Sequence, residues 1–205
     1  MTVVVAAVLL MVVTTPLGTT APLGPGDPQA TQFVLDPNAR IGVRPGQIAP
    51  ELAVTRSDGS TFELTDLNGR PVRLADLRGK GVWLNFWASW CPPCQSETPT
   101  VRDLADEYRN RGLVVVGISV QETSPGNVAE YAARYQLDYT IAADVSGDIY
   151  RLYNPPGLPT SIFIGPDGAV RSFVLAPLSR PAAIAQIAAI LPTAASGSPS
   201  GPPGS

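Results

Sequence analysis

Histidine is absent from this 205-residue chain, and cysteine occurs at two positions only, Cys91 and Cys94. A zinc centre needs about four ligands, so this inventory excludes the usual cysteine and histidine metal site. Basic clusters are missing as well. The 14 lysines and arginines are spread along the chain against 17 aspartates and glutamates, giving a formal net charge of −3. With no basic patch, neither nucleic acid nor an anionic membrane surface is expected as the main partner. Nor does a basic residue precede the apolar stretch Val3 to Val13, which lies in a segment uncharged from Met1 to Leu17.

That stretch falls short of the ~20 residues a membrane-spanning helix needs, but it matches the apolar region of a signal peptide. Residues 1–17 are therefore expected to be a signal or a membrane anchor. The small-residue site Thr19-Thr20-Ala21 is followed at once by Pro22, which favours an uncleaved anchor over an atypical secretory signal. Either places the domain outside the cytoplasm, where disulfide traffic is physiological. Of 22 prolines, seven lie in the first 50 residues and four in the last 14, and these mark the flanks as linkers. Residues 18–41, with Gly24-Pro25-Gly26-Asp27-Pro28, read as an extended tether. Residues 192–205 have little apolar surface to bury and are expected to form a disordered low-complexity tail. One domain, residues 42–191, remains.

The two cysteines frame Cys91-Pro92-Pro93-Cys94, directly after the apolar run Val82-Trp83-Leu84-Asn85-Phe86-Trp87. A strand ending there and a helix beginning at Cys91 would aim unpaired amide donors and the positive end of the helix dipole at that sulfur. Both favour thiolate over thiol. Cys91 is then the nucleophile and Cys94 the resolving thiol. Pro92 suits the first helical turn, where its missing N–H has no intrahelical partner. A purely structural disulfide is a poor alternative, because so short a loop removes little unfolded-chain entropy beside the ~3 kcal/mol expected for a loop of about 15 residues.

Before the dithiol, Phe62-Glu63-Leu64-Thr65-Asp66-Leu67-Asn68-Gly69 is echoed by Val72-Arg73-Leu74-Ala75-Asp76-Leu77-Arg78-Gly79. The alternation predicts successive strands and turns of a hairpin. After it, Val101, Leu104, Ala105 and Tyr108 recur at helical spacing, and Leu113 to Ile118 reads as a buried strand. A helix over 127–136, a strand over 139–142, a turn-rich stretch over 145–153, strands over 160–164 and 169–175, and a closing helix over 180–191 complete the pattern. Strand and helix alternate in this way in a layered α/β domain around a mixed sheet.

Asn85-Phe86-Trp87-Ala88-Ser89-Trp90-Cys91-Pro92-Pro93-Cys94, with Glu97, Pro99 and the later Gly157-Leu158-Pro159-Thr160, resembles the TlpA/ResA-like thiol-disulfide oxidoreductases of the thioredoxin superfamily. The resemblance covers roughly residues 45 to 191 and is most specific at the dithiol and at Leu-Pro-Thr. It implies a thioredoxin-like fold with an N-terminal β-hairpin extension and an extracytoplasmic location. It further implies a role in keeping protein thiols reduced, including apocytochrome c before haem attachment. No cofactor is required. The partners implied are protein thiols or disulfides outside the cytoplasm and a membrane thiol-disulfide donor or acceptor, with the domain acting as a monomer.

Carried over by position, Pro159 falls at the family's cis proline, which would present the backbone of Leu158 to a substrate strand. An ordinary trans proline is the alternative. Glu97, about one turn beyond Cys94, is placed to take a proton from the resolving thiol, or else to stabilise a helix amino terminus. Thioredoxin keeps a buried aspartate where this chain has the non-titrating Asn85, which favours the proton-transfer role. Trp90, Pro92, Pro93 and Leu158 are the expected substrate contacts, with Trp90 evenly divided between contact and packing and Trp87 assigned to the core. The sequence Tyr153-Asn154-Pro155-Pro156-Gly157 departs from the family pattern by its two prolines and predicts a stiffer loop.

One alternative stays open and two fit less well. An oxidant that introduces disulfides into exported proteins would use the same residues in reverse. Peroxide reduction lacks an evident arginine-assisted single peroxidatic cysteine. A non-catalytic binding module would leave the intact motif unexplained.

Overall fold

The computed structural model describes residues 42–192. The expected anchor at 1–17, the tether up to residue 41 and the tail beyond Pro192 lie outside the described residues.

The centre of the domain is β3 (Gly81–Trp87), whose seven residues are all buried. So complete an apolar run is stable only with both faces covered. It pairs in parallel with β4 (Leu113–Val120), which pairs in parallel with β5 (Thr140–Asp144). On its other side β3 pairs antiparallel with β6 (Thr160–Ile164), followed by β7 (Val170–Val174). The order β5-β4-β3-β6-β7 makes a five-stranded mixed sheet. Between β6 and β7 the chain reverses at Gly165–Gly168, where Gly168 adopts φ +80° and Asp167 accepts the Ala169 N–H at 3.0 Å.

Strand alternation divides the core. Val82, Leu84 and Phe86 face a cluster shared with Leu52, Leu64, Ile149 and Tyr153. Trp83 points the opposite way, into a cluster with Val101 and Leu104 of α1 (Pro92–Arg109) and Ala183 and Ile187 of α4 (Arg180–Ala188). The helix α2 (Pro125–Tyr135) supplies Val128, Tyr131 and Ala132 to a third cluster around Trp87 and both cysteines.

The N-terminal extension is a two-stranded hairpin, β1 (Ala53–Thr55) against β2 (Thr61–Glu63). Its turn is closed by Asp58, which accepts from the Ser60 N–H and O–H at 2.9 and 2.7 Å. Of the near-repeat only Phe62-Glu63, in the first copy, lies in a strand. The second copy follows a single bridge, Thr65 with Pro71, meets the first through the Val72 N–H to Leu64 carbonyl bond, then turns into a 3-10 helix over Ala75–Leu77. Val72 and Leu74 are buried while Arg73 faces out. The apolar alternation therefore records which side chains enter the core rather than a further strand.

The turn-rich stretch before Tyr153 is a short helix, α3 (Asp148–Tyr153). Buried Asp144, at the end of β5, accepts the Asp148 and Tyr150 N–H groups at 3.0 and 2.7 Å and so satisfies two donors at its amino end. Three contacts hold α3 to the preceding chain. Tyr153 donates its hydroxyl to the Pro50 carbonyl, Gly42 N–H reaches the Tyr153 carbonyl at 3.1 Å, and Arg56 pairs with Asp148 at 2.6 Å.

Candidate active site

Cys91 is the N-cap of α1, with Pro92 and Pro93 in the first turn. It is joined to Cys94 by a disulfide, with 5.3 Å between the α-carbons. The Cys91 sulfur accepts the Cys94 N–H at 3.4 Å. A donor normally left unpaired at a helix start thus faces the sulfur that the sequence marks as nucleophile. Pro99, further along α1, has no N–H to donate; beside it Thr98 bonds back to the Cys94 carbonyl at 2.9 Å and meets the Tyr131 hydroxyl at 2.7 Å.

Around the pair, Trp87 is buried and meets Tyr131 in a tilted ring contact at 4.7 Å between ring centres, while Trp90 stands 54% exposed. The exposed Trp90 is anchored by its indole N–H to the Gln121 carbonyl at 3.1 Å. Pro92 and Pro93 are also exposed. The Leu158–Pro159 peptide bond is cis, Pro159 is buried, and half-buried Leu158 packs against the cluster that contains both cysteines. Thr160 fixes the loop by donating to the Gly157 carbonyl at 2.7 Å. Cys91, Cys94, Trp90, Pro92, Pro93, Leu158 and Pro159 therefore converge on one end of the sheet, where β3 finishes and β6 starts.

Glu97 takes a different position from a surface acid at a helix start. It is buried, and its carboxylate accepts the Asn85 amide at 2.7 Å and the Leu178 N–H at 2.9 Å. Loss of hydration pushes its pKa above the ordinary value, against the pull of those two donors. Asn85 is itself held by β6 through the Ser161 hydroxyl at 3.3 Å. A raised carboxyl on the helix of the resolving thiol suits proton exchange with a thiol better than an ordinary acid would.

A second buried acid was not legible in the sequence. Glu122, in the β4–α2 loop, accepts the Ser89 N–H at 2.6 Å, the Ser89 O–H at 2.9 Å and the Ser119 O–H at 2.9 Å. Gln95 of α1 reaches the Ser89 carbonyl at 2.7 Å from the other side. The only sequence signal was an acid at the end of an apolar strand, which is usually a solvated turn residue.

The family model described as AhpC/TSA matches residues 45–173. The thiol-disulfide oxidoreductase ResA of Geobacillus kaustophilus is 37% identical over 125 residues, which cover 60% of this chain and 71% of that protein. ResA of Bacillus thuringiensis is 37% identical over 113 residues, 55% of this chain, and the match spans 65% of that relative's length. Among solved structures, a putative thiol:disulfide interchange protein DsbE from Chlorobium tepidum superposes with a TM-score of 0.63 at 30% identity, covering 72% of this chain and 98% of that one. A secreted Mycobacterium tuberculosis disulfide oxidoreductase described as homologous to DsbE gives 0.57 at 32% identity, covering 62% and 95%. The thioredoxin-like architecture is thus shared with these solved structures.

Proposed function

This chain belongs to the AhpC/TSA family, and from that premise we propose that it is a thiol-disulfide oxidoreductase working through Cys91 and Cys94. The observation that carries the reading is the closed Cys91–Cys94 disulfide at the amino end of α1, with an amide donor on the Cys91 sulfur. In the reducing direction, the Cys91 thiolate attacks a partner disulfide, forming one new S–S bond and expelling a partner thiolate. Cys94 gives up its proton, attacks the Cys91 sulfur and expels the second partner thiolate. Two electrons pass to the partner, and the protein keeps the disulfide. Glu97 is the group proposed to take the Cys94 proton. Exposed Trp90, Pro92 and Pro93, with the Leu158 backbone before Pro159, are proposed to receive the substrate chain.

The reducing direction rests on the resemblance to TlpA/ResA-like oxidoreductases, which implies a role in keeping protein thiols reduced. Protein disulfides outside the cytoplasm are the proposed substrates, with apocytochrome c a member of that class, and a membrane thiol donor would re-reduce the monomeric domain. The proposed location rests on the apolar segment of residues 1–17 and on likeness to a protein described as secreted. Among the described residues no helix is long and apolar enough to cross a membrane.

The test is the reduction potential of the Cys91/Cys94 couple in glutathione or dithiothreitol buffers. A value near or below about −220 mV supports the reductase. A value near about −120 mV would make the protein a disulfide-forming oxidant, and a couple that does not equilibrate would remove the redox function.

A further inference from the structure

The turn that carries Cys91 is held by hydrogen bonds that the exchange chemistry itself does not use. Between the end of β3 and the start of α1 the chain passes through Ala88, Ser89 and Trp90 with one internal bond, Cys91 N–H to the Ala88 carbonyl at 3.2 Å. The remaining anchors come from outside. Glu122 takes both donors of Ser89, Gln95 takes its carbonyl, and the Gln121 carbonyl takes the Trp90 indole. Glu122 is only 7% exposed, and Gln121 beside it holds a left-handed backbone with φ +56°. Such a backbone is uncommon for a residue with a side chain. It delivers the Gln121 carbonyl and the Glu122 carboxylate to the same three-residue turn. Ser119, at 0% exposure, gives Glu122 its third donor, so the acid is tied to β4 as firmly as to the turn.

We propose that Glu122 is a positioning residue of the dithiol site: it clamps Ser89, and through Ser89 it sets where the Cys91 sulfur meets the amino end of α1 and how the Trp90 indole stands at the rim. The proposal rests on the thiol-disulfide reading. A carboxylate held at Ser89, two residues before the nucleophile, would by charge alone disfavour a thiolate. Its value here is geometric, since a sulfur displaced from the helix amides loses the donors that favour its ionised form. Charge and clamp therefore act on Cys91 with opposite signs, and two substitutions separate them. Glu122→Gln removes the charge and keeps an oxygen for the Ser89 N–H. Glu122→Ala removes both.

The experiment is the pH profile of Cys91 alkylation by iodoacetamide in reduced full-length Cys94→Ser protein, with Glu122 intact or replaced. Glu97 on α1 and Tyr131 on α2 also titrate near the cysteines, but they are identical in the Gln and Ala proteins and cancel in that comparison. The clamp predicts that, below the thiol pKa, the Ala protein reacts about fivefold more slowly than the Gln protein, the effect expected for weakened helix-terminus stabilisation. Equal rates in the two overturn the proposal, as does faster reaction of Ala. If Glu122→Ala does not fold, Ser89→Ala, which keeps the backbone N–H and drops one donor, takes its place and must slow alkylation relative to the intact turn. Ser89→Ala reacting at the unaltered rate would then overturn the clamp. Alkylation needs no protein partner, so a chain unable to exchange disulfides would defeat the functional reading without deciding the clamp, while an active chain with equal Gln and Ala rates defeats the clamp alone.

Discussion

The Asn85 amide and the Glu97 carboxylate are joined at 2.7 Å inside the domain, β3 to α1, with the Leu178 N–H on the other carboxylate oxygen. Burial outweighs these donors and raises the Glu97 pKa above 4.5. The folded protein then holds this proton more tightly than the unfolded chain does. The resulting stability is complete below the unfolded value and is lost as pH rises through the raised folded value. Glu97→Gln cannot ionise. The unfolding free energy of the natural protein relative to this variant should therefore fall as pH climbs from about 4.5, measured by urea denaturation at a series of pH values. A difference that stays flat with pH would mean that Glu97 is not desolvated as described.

Replacing Cys94 with serine leaves the attacking sulfur and removes the one that resolves the intermediate. Cys94→Ser is expected to accumulate mixed disulfides through Cys91, visible as adducts on non-reducing gels and lost on reduction. Cys91→Ser should give none. In otherwise intact protein, Glu97→Gln should slow release of the reduced partner by about 100-fold in single-turnover experiments, the lower range for loss of a positioned proton acceptor. Adducts formed through Cys94 in Cys91→Ser would reverse the assigned order.

The hairpin extension carries its own pH dependence. Hydrogen bonding to Arg56, then to Ser146 and Arg151, holds the Asp148 carboxyl down at about 2. A depressed carboxyl contributes stability that is present above its unfolded value of 3.8 and lost as pH falls toward the folded one. Arg56→Ala should therefore lower stability at neutral pH, discounted for the partly exposed arginine, and move the acid-unfolding midpoint to higher pH. Circular dichroism during acid titration reads this directly, and an unchanged midpoint would sever the hairpin from acid stability.

Behind the dithiol, Gly117 of β4 leaves no room for a side chain. An added Cβ would lie 2.9 Å from Ile141 Cδ1, 3.0 Å from Trp87 Nε1 and 3.1 Å from Tyr139 Cε2. Gly117→Ala is expected to destabilise the domain by about 1–3 kcal/mol, the usual cost of overpacking, and to alter the emission of Trp87. Thermal unfolding and fluorescence test both, and an unchanged melting temperature would show that these neighbours give way freely.

Much of this arrangement was legible because apolar pattern and strand burial coincide. The all-buried β3 and β6 were readable as strands, and the heptad-like run from Val101 to Tyr108 as a helix. α3 was not: its six residues are too few for a periodic signal, and its start is satisfied from Asp144 on another strand. The second copy of the near-repeat misled for the opposite reason, since Val72 and Leu74 alternate like a strand while pairing with almost nothing. At the site, local spacing exposed Cys91 and Cys94, and the family resemblance pointed to Glu97. Asn85 as a partner of Glu97, and Glu122 as a partner of Ser89, depend on contacts 12 and 33 residues apart. No local pattern records such distances.

The chain before β3 also reaches both margins of the five-stranded sheet. Gln47 and Gly46 exchange backbone bonds with Val170 of β7, and Asp66 and Leu67 meet Ala142 and Ile141 of β5. Unpaired strand margins invite any extended polypeptide to add itself as another strand. A protein proposed to handle loosely folded, cysteine-bearing chains meets that hazard at every encounter. By pairing its own leading segment at a point on each margin, the domain leaves fewer open strand groups there for a visiting chain to extend.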